Sequence, residues 1–172
     1  MMESSASMPL QKSFESFLID TAATEALGGR LAAHFQGGMV IALSGDLGAG
    51  KTTLVRGMLR ALGISGPVKS PSYALVEEYL FSRLRFKMNL YHFDFYRIKD
   101  KSEWDSGGFS EYFRDDAVCV IEWPEKLGDR LPPVDLVVSL TLPADVSVAG
   151  RQVRIVPYTK AGEECLTAMM NS

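Results

Sequence analysis

Eight consecutive residues, Gly45-Asp46-Leu47-Gly48-Ala49-Gly50-Lys51-Thr52, match the phosphate-loop pattern G-x-x-x-x-G-K-[ST]. The residue types suit phosphate chemistry. Glycines let the backbone fold tightly, so that successive N–H groups turn inward toward phosphate oxygens. A helix opening at the lysine adds the positive end of its dipole. Lys51 then has the reach to meet β- and γ-phosphates, and the Thr52 hydroxyl is placed to ligate magnesium. A chance match in a chain of this size is roughly a one-in-a-hundred event or rarer.

Hydrolysis of a bound nucleotide also needs a carboxylate near the metal and a group that orients the attacking water. Two acids are candidates. Glu122 closes the apolar run Ala117-Val118-Cys119-Val120-Ile121 and would project from the carboxyl edge of a parallel sheet, where nucleotides sit in open α/β folds. A plain strand-end cap is its alternative. Asp94 lies beside His92 on the polar face of its own strand, where it could hold a metal-bound water, position the nucleophile, or simply pair with Arg97. Residue types do not rank the two acids at the metal. His92 itself reads as a base or, more plainly, as a hydrogen-bonded structural residue among aromatics. Ser70-Pro71-Ser72 is a hydroxyl-rich turn about twenty residues past the loop, where many P-loop proteins keep a γ-phosphate sensor.

The elements that must carry these residues follow from hydrophobic period. Ala23, Leu27, Leu31 and Phe35 paint one helical stripe over 21–35, which Gln36-Gly37-Gly38 ends. His34 falls on the stripe side and reads as structural. Met39-Val40-Ile41-Ala42-Leu43 is a short, continuously apolar run that fits a strand buried on both faces. Leu54, Val55, Met58, Leu59 and Leu62 recur at helical spacing, so a second helix spans 52–62. Residues 73–79 and 90–95 read as a hairpin across 81–87, with Arg83, Arg85 and Lys87 as a basic tip. That tip is a solvated face or a contact for RNA or a partner. A short helical stretch over 110–113 precedes the apolar run before Glu122. Residues 136–142 and 153–156 make a closing hairpin around 143–150.

At 172 residues with 47% hydrophobic content, the chain suits one compact domain with a real core. The division expected is a flexible terminus over 1–13, a P-loop domain over 14–158 and a tail over 159–172. A net charge of −3 and a pI near 5.4 argue against a surface that grips nucleic acid through its phosphates. Cys119 and Cys165 have neither the spacing of a zinc site nor that of a redox pair. No run approaches the roughly 18 apolar residues of a membrane span, and the opening lacks a signal peptide's basic and apolar regions. A cytoplasmic protein, monomeric on its own, is the expectation.

Four ordered motifs carry a specific resemblance. They are the loop from Gly45 through Thr53; Ser70-Pro71-Ser72-Tyr73 with Leu75-Val76; His92-Phe93-Asp94-Phe95-Tyr96-Arg97; and Ile121-Glu122-Trp123-Pro124-Glu125. Over 17–133 the chain resembles the TsaE family, also called YjeE. The resemblance implies an α/β P-loop NTPase-like mixed sheet with a parallel centre and antiparallel hairpins, flanked by helices. It implies ATP and Mg2+ as cofactors and TsaD and TsaB as partners. It also implies ATP hydrolysis supporting threonylcarbamoyl transfer to the adenosine beside the tRNA anticodon, with the tRNA met indirectly through the complex. Carried over to this sequence, Lys51 and Thr52 contact phosphate and magnesium, Glu122 is the acid of the apolar strand, Asp94 is a required carboxylate in a switch-like segment, and Trp123 lies near the nucleotide. Ser72 stands where the family usually has threonine; the hydroxyl survives, and the lost methyl constrains the loop less.

Two other classes compete. A small-molecule kinase needs an acceptor pocket and usually an arginine-rich lid, and no such segment is present. A nucleotide-switched binding module would bind without appreciable turnover. The missing Asn-Lys-x-Asp segment favours adenine over guanine.

Overall fold

The computed structural model describes residues 8–10, 12–71 and 74–172. Seven strands form one sheet in the order β1-β7-β6-β2-β5-β4-β3. They are β1 (Phe14–Leu18), β2 (Val40–Ser44), β3 (Val76–Arg83), β4 (Phe86–Asp94), β5 (Ala117–Glu122), β6 (Leu136–Thr141) and β7 (Arg151–Pro157). Strands β6, β2, β5 and β4 run parallel to their neighbours, whereas β7, β1 and β3 join through antiparallel pairs at the edges. This is the mixed sheet with a parallel centre that the sequence pattern and the family resemblance lead one to expect.

Helices α1 (Thr21–Ala32), α2 (Lys51–Ala61) and α4 (Lys160–Met170) cover one face. Leu27, Leu31, Leu54, Met58, Leu166 and Met169 pack there against Ile41, Leu43, Val118, Val120 and Leu136. The other face is covered by the segment between β4 and β6, including α3 (Ser102–Ser106) and short 3₁₀ turns. There Phe93, Phe95 and Phe109 pack with Tyr91, Cys119 and Ile121, joined by Trp104 and Phe113. Strand alternation divides the two cores. Leu90 on β4 faces the helices, so His92 and Asp94 do too; Val118 and Val120 do the same for Glu122 on β5. Three polar side chains therefore emerge on the face that α2 crosses.

Two elements depart from the pattern read from the sequence. Residues 159–172, expected as a tail, carry α4. Thr159 caps it by accepting from the Gly162 N–H (3.1 Å), and Gly162, Cys165, Leu166 and Met169 form its buried stripe. Strand β1, also unread, pairs with β7 at the sheet edge. The hairpin is longer and its turn tighter than expected, with Leu84 and Arg85 between β3 and β4. Strand β3 starts only at Val76, because Leu75 adopts a left-handed φ of 59° that an extended strand cannot hold. Residues 1–7, part of the expected flexible terminus, lie outside the described residues.

Helices α1 and α2 approach closely through glycine. A Cβ on Gly28 would lie 2.2 Å from the Leu54 carbonyl oxygen, and one on Gly57 would lie 2.0 Å from that of Glu25. Glu25 bridges the same interface, accepting from Arg56 (3.2 Å) and from Arg60. Backbone-to-backbone contact of this kind fixes where α2, and thus Lys51 at its start, stands over the sheet. Among the described residues no helix is long and apolar enough to cross a membrane.

Candidate nucleotide-binding site

Parallel register brings the chemistry to one edge. Leu43 on β2 pairs with Glu122 on β5, and Glu122 with Asp94 on β4, so all three strands end at one level. The phosphate-loop sequence leaves β2 at that level and turns into α2. Gly50 makes the turn with φ 106°, as the left-handed N-cap of α2, and no side chain caps the first helical N–H groups. Those donors, with the helix dipole behind them, have the character that suits an anion.

A cleft of about 470 Å³ opens there, lined by 47–53 of the loop and by Ser70, Asp94, Arg97, Glu122 and Trp123 among others. Three charged side chains that line it are buried, Lys51 (5% exposed), Glu122 (3%) and Asp94 (9%), and His92 (0%) is buried against Glu122. Charged side chains are seldom buried to this degree, and such burial gathers at functional sites.

Lys51 Nζ donates to the Gly45 carbonyl and to that of Asp46 (3.0 Å), and it stands 4.2 Å from the centroid of the Trp123 ring. Burial lowers its pKa below the ordinary lysine value, against the opposing pull of Glu122, Glu125, Asp94 and Asp46. Trp123 reaches this position from a left-handed backbone (φ 58°) immediately after Glu122, and Tyr96 packs against it at 4.9 Å between centroids. A non-glycine residue held there is strained, and strain of this kind gathers at functional sites.

Thr52 Oγ1 meets Ser70 Oγ and donates to Glu122 Oε1 at 3.0 Å. His92 Nε2 stands 2.8 Å from the same oxygen. Asp94 is held differently. Its Oδ1 accepts from the Tyr96 N–H at 2.9 Å, and among the described residues no ion pair joins it to Arg97, which lines the cleft as an exposed side chain. Burial raises the Asp94 pKa, the Tyr96 N–H opposes the shift, and the Glu122 charge adds to it. The two acids are thus distinguished by geometry: Glu122 touches the Thr52 hydroxyl, and Asp94 does not.

The oxygen set of Thr52, Glu122 and Asp94 has the hard-donor chemistry that suits magnesium. Among the described residues no three His, Cys, Asp or Glu side chains converge as a dedicated metal cage. A magnesium site completed by phosphate and water oxygens needs none. Gly45 and Asp46 take part through the carbonyls that hold Lys51, and Leu47, Gly48, Ala49, Gly50 and Thr53 line the cleft. Ser72 and Tyr73 lie outside the described residues.

One residue that the sequence did not single out belongs with the loop. Arg151, first in β7, donates from Nε to the Ala49 carbonyl (3.1 Å) and from Nη2 to that of Gly48 (3.1 Å). It braces the glycine-rich turn from behind. Arg83, read as part of a basic tip, instead donates to the Ala32 and Ala33 carbonyls at the end of α1 (2.8 and 2.7 Å), leaving Arg85 and Lys87 exposed. Cys119 and Cys165 are buried free thiols, each pushed up to about 12 by desolvation.

Comparison with known proteins agrees with this architecture. The family model "Threonylcarbamoyl adenosine biosynthesis protein TsaE" matches residues 18–153. The tRNA threonylcarbamoyladenosine biosynthesis protein TsaE of Haemophilus influenzae is 42% identical over 138 residues, covering 80% of this chain and 82% of that protein. The protein of the same name from Bacillus subtilis is 37% identical over 139 residues, covering 81% and 80%. The crystal structure of Bacillus subtilis YdiB superposes with a TM-score of 0.75 at 28% identity, covering 93% of this chain and 95% of that one. With a family model spanning most of its length and relatives this similar, the chain belongs to the TsaE family.

Proposed function

We propose that the chain binds ATP with magnesium and hydrolyses it, as the ATPase of tRNA threonylcarbamoyladenosine formation. The observation that carries this reading is the convergence, at one sheet edge, of a helix N-terminus without a side-chain cap, a buried lysine and a threonine hydroxyl bonded to a strand-end carboxylate. The pathway comes from the names of the relatives.

In this reading the N–H groups of the loop and of the first turn of α2 receive the phosphate oxygens. Lys51 exchanges its carbonyl partners for β- and γ-phosphate oxygens, which return to its desolvated ammonium the counter-charge that burial denies it. Thr52 and Glu122 are the residues that would hold the metal, directly or through its waters. Magnesium, when bound, neutralises charge developing on the phosphoryl oxygens. Asp94, whose pKa burial raises, is the residue assigned to orient the attacking water and accept its proton. Trp123 and Tyr96 wall the cleft and keep Lys51 aimed.

TsaD and TsaB are the partners in this reading, and the acidic chain meets tRNA through them, in the cytoplasm. The test is reconstitution of tRNA threonylcarbamoylation from purified partners with the native chain and with Lys51→Ala. The expected result is ADP and phosphate as sole nucleotide products of the native chain. Lys51→Ala should lose both hydrolysis and multiple turnover while keeping its fold. Normal multiple turnover from Lys51→Ala overturns the proposal, and stoichiometric labelling of a small acceptor would make the chain a kinase instead.

A further inference from the structure

We propose that His92 is a positioning residue that fixes the Glu122 carboxylate for the metal. The inference rests on the nucleotide reading above and adds a residue that reading does not use. His92 sits on β4 opposite Val120 of β5, and reaches diagonally to Glu122 at the strand end. It is completely buried, and its Nε2 lies 2.8 Å from Glu122 Oε1. Its other nitrogen, Nδ1, is buried with no hydrogen-bond partner among the described residues.

That asymmetry is informative. An unpaired buried nitrogen is costly, and the one polar contact that the His92 ring makes among the described residues is the one to Glu122. The ring is retained at that cost for a single contact. Of the two ring nitrogens only Nε2 meets the carboxylate, so it is the one that can hold Oε1 in place. Thr52 donates to the same oxygen from α2. Oε1 is therefore held from two different elements, by His92 on the sheet and by Thr52 on the helix that begins the phosphate loop. No hydrogen bond to Oε2 is found among the described residues, so the second oxygen is the one presented to a metal or its water. Partners that orient a ligating carboxylate in this way are typically worth about 10–100-fold in metal affinity or activity.

The test uses Mn2+ as a spectroscopically visible stand-in for magnesium. Its affinity for the chain in the presence of ADP is read by electron paramagnetic resonance. Alongside it run ADP affinity in chelator and the urea midpoint, for the native chain, His92→Gln, His92→Asn and His92→Leu. The amide of glutamine reaches about as far as Nε2 and donates, whereas that of asparagine is a methylene short. The expectation is that His92→Leu loses about 10–100-fold in Mn2+ affinity, keeps its urea midpoint and keeps metal-free ADP affinity. His92→Gln should stay within about threefold of native, and His92→Asn should resemble His92→Leu. Should His92→Leu fail to fold, the split between glutamine and asparagine decides. Native Mn2+ affinity in every folded variant overturns the proposal, as does a loss that merely tracks the urea midpoint. If the native chain shows no metal-dependent ADP binding, the nucleotide reading falls and this inference with it.

Discussion

Substituting Gly57 by alanine tests whether the crossing of α1 and α2 sets the geometry of the phosphate loop. A Cβ at Gly57 would stand 2.0 Å from the Glu25 carbonyl oxygen and 2.6 Å from two further backbone atoms, where ordinary contact begins at 3.4 Å. The helices must therefore separate by roughly an ångström or more, because backbone cannot swing aside as a side-chain tip can. Overpacking of this kind costs about 1–3 kcal/mol, with this site at the upper end, against a gain of about 1 kcal/mol in helix propensity. The net expectation is a loss of about 1–2 kcal/mol, or roughly 2–8 °C in Tm for a domain of this size. Gly29 is the internal control. Its Cβ would meet the Ala61 Cβ at 3.3 Å and the Gly57 carbonyl at 3.5 Å, so Gly29→Ala keeps most of the propensity gain and should be neutral or slightly stabilising. The functional consequence is separable. Lys51 begins the same rigid helix six residues earlier, about 9 Å away. A displacement near 1 Å at reacting groups can cost about 100-fold in rate. Urea denaturation and steady-state ATP hydrolysis of both variants make the assay. Equal stability of Gly57→Ala and Gly29→Ala, with native hydrolysis in both, would refute the claim that backbone contact at this crossing positions the loop.

Two further substitutions probe the site and the frame behind it. Asp94→Asn keeps the oxygen that accepts from the Tyr96 N–H but removes a desolvated charge. Burial raises the folded-state pKa of Asp94 above the ordinary carboxylate value, so the carboxylate destabilises the fold above that window, and the penalty disappears as pH falls below it. Asp94→Asn should therefore be more stable than native near pH 7, with the gap closing toward about pH 3–4, while hydrolysis falls on the order of 100-fold or more. Urea midpoints at the two pH values and a phosphate-release assay check both halves. Thr159→Val removes the cap of α4 and the bond from Thr159 to Asp135, whose other oxygen holds the Val40 N–H at 2.7 Å. A loss of about 1–2 kcal/mol by urea denaturation is expected, restored largely by Thr159→Ser.

Much of the site was legible because its signals are local. The loop residues, Lys51 and Thr52 announce themselves as a contiguous pattern, and the alternation along 90–95 places His92 and Asp94 together on one face. Glu122 is marked as a candidate by its place at the end of an apolar run. What the sequence could not rank, Glu122 against Asp94 beside Thr52, depends on which strands are neighbours and in what register, a non-local property. Arg151 is hidden for the same reason, being about a hundred residues from the carbonyls it braces. Strand β1 escaped because Phe14-Glu15-Ser16-Phe17-Leu18 neither alternates cleanly nor runs apolar, and an edge strand needs neither. Helix α4 did carry a signal, Thr159 followed by buried positions at 162, 165, 166 and 169. Lacking a family motif, that stripe was read as a tail, although helical period and an N-cap residue suffice to mark it.

The burial of Lys51 shows why site and stability pull in opposite directions here. A lysine on an exposed loop would contribute little to folding, and its removal would be silent. In this fold the ammonium is nearly enclosed, with its pKa lowered by burial, so the charged form opposes folding at neutral pH and stability from this group rises as pH climbs toward 10.5. Asp94 carries the mirror-image strain, a carboxylate with its pKa raised. An opposite pair left to itself would close on one another, but the sheet register and the start of α2 hold them on separate elements, with the two P-loop carbonyls and the Trp123 ring occupying the ammonium. Each is thus kept desolvated and under-compensated in the folded chain. A ligand that brings anionic oxygens to Lys51 and a cation to the acids would satisfy both at once, and the free energy stored in their separation would then appear as binding.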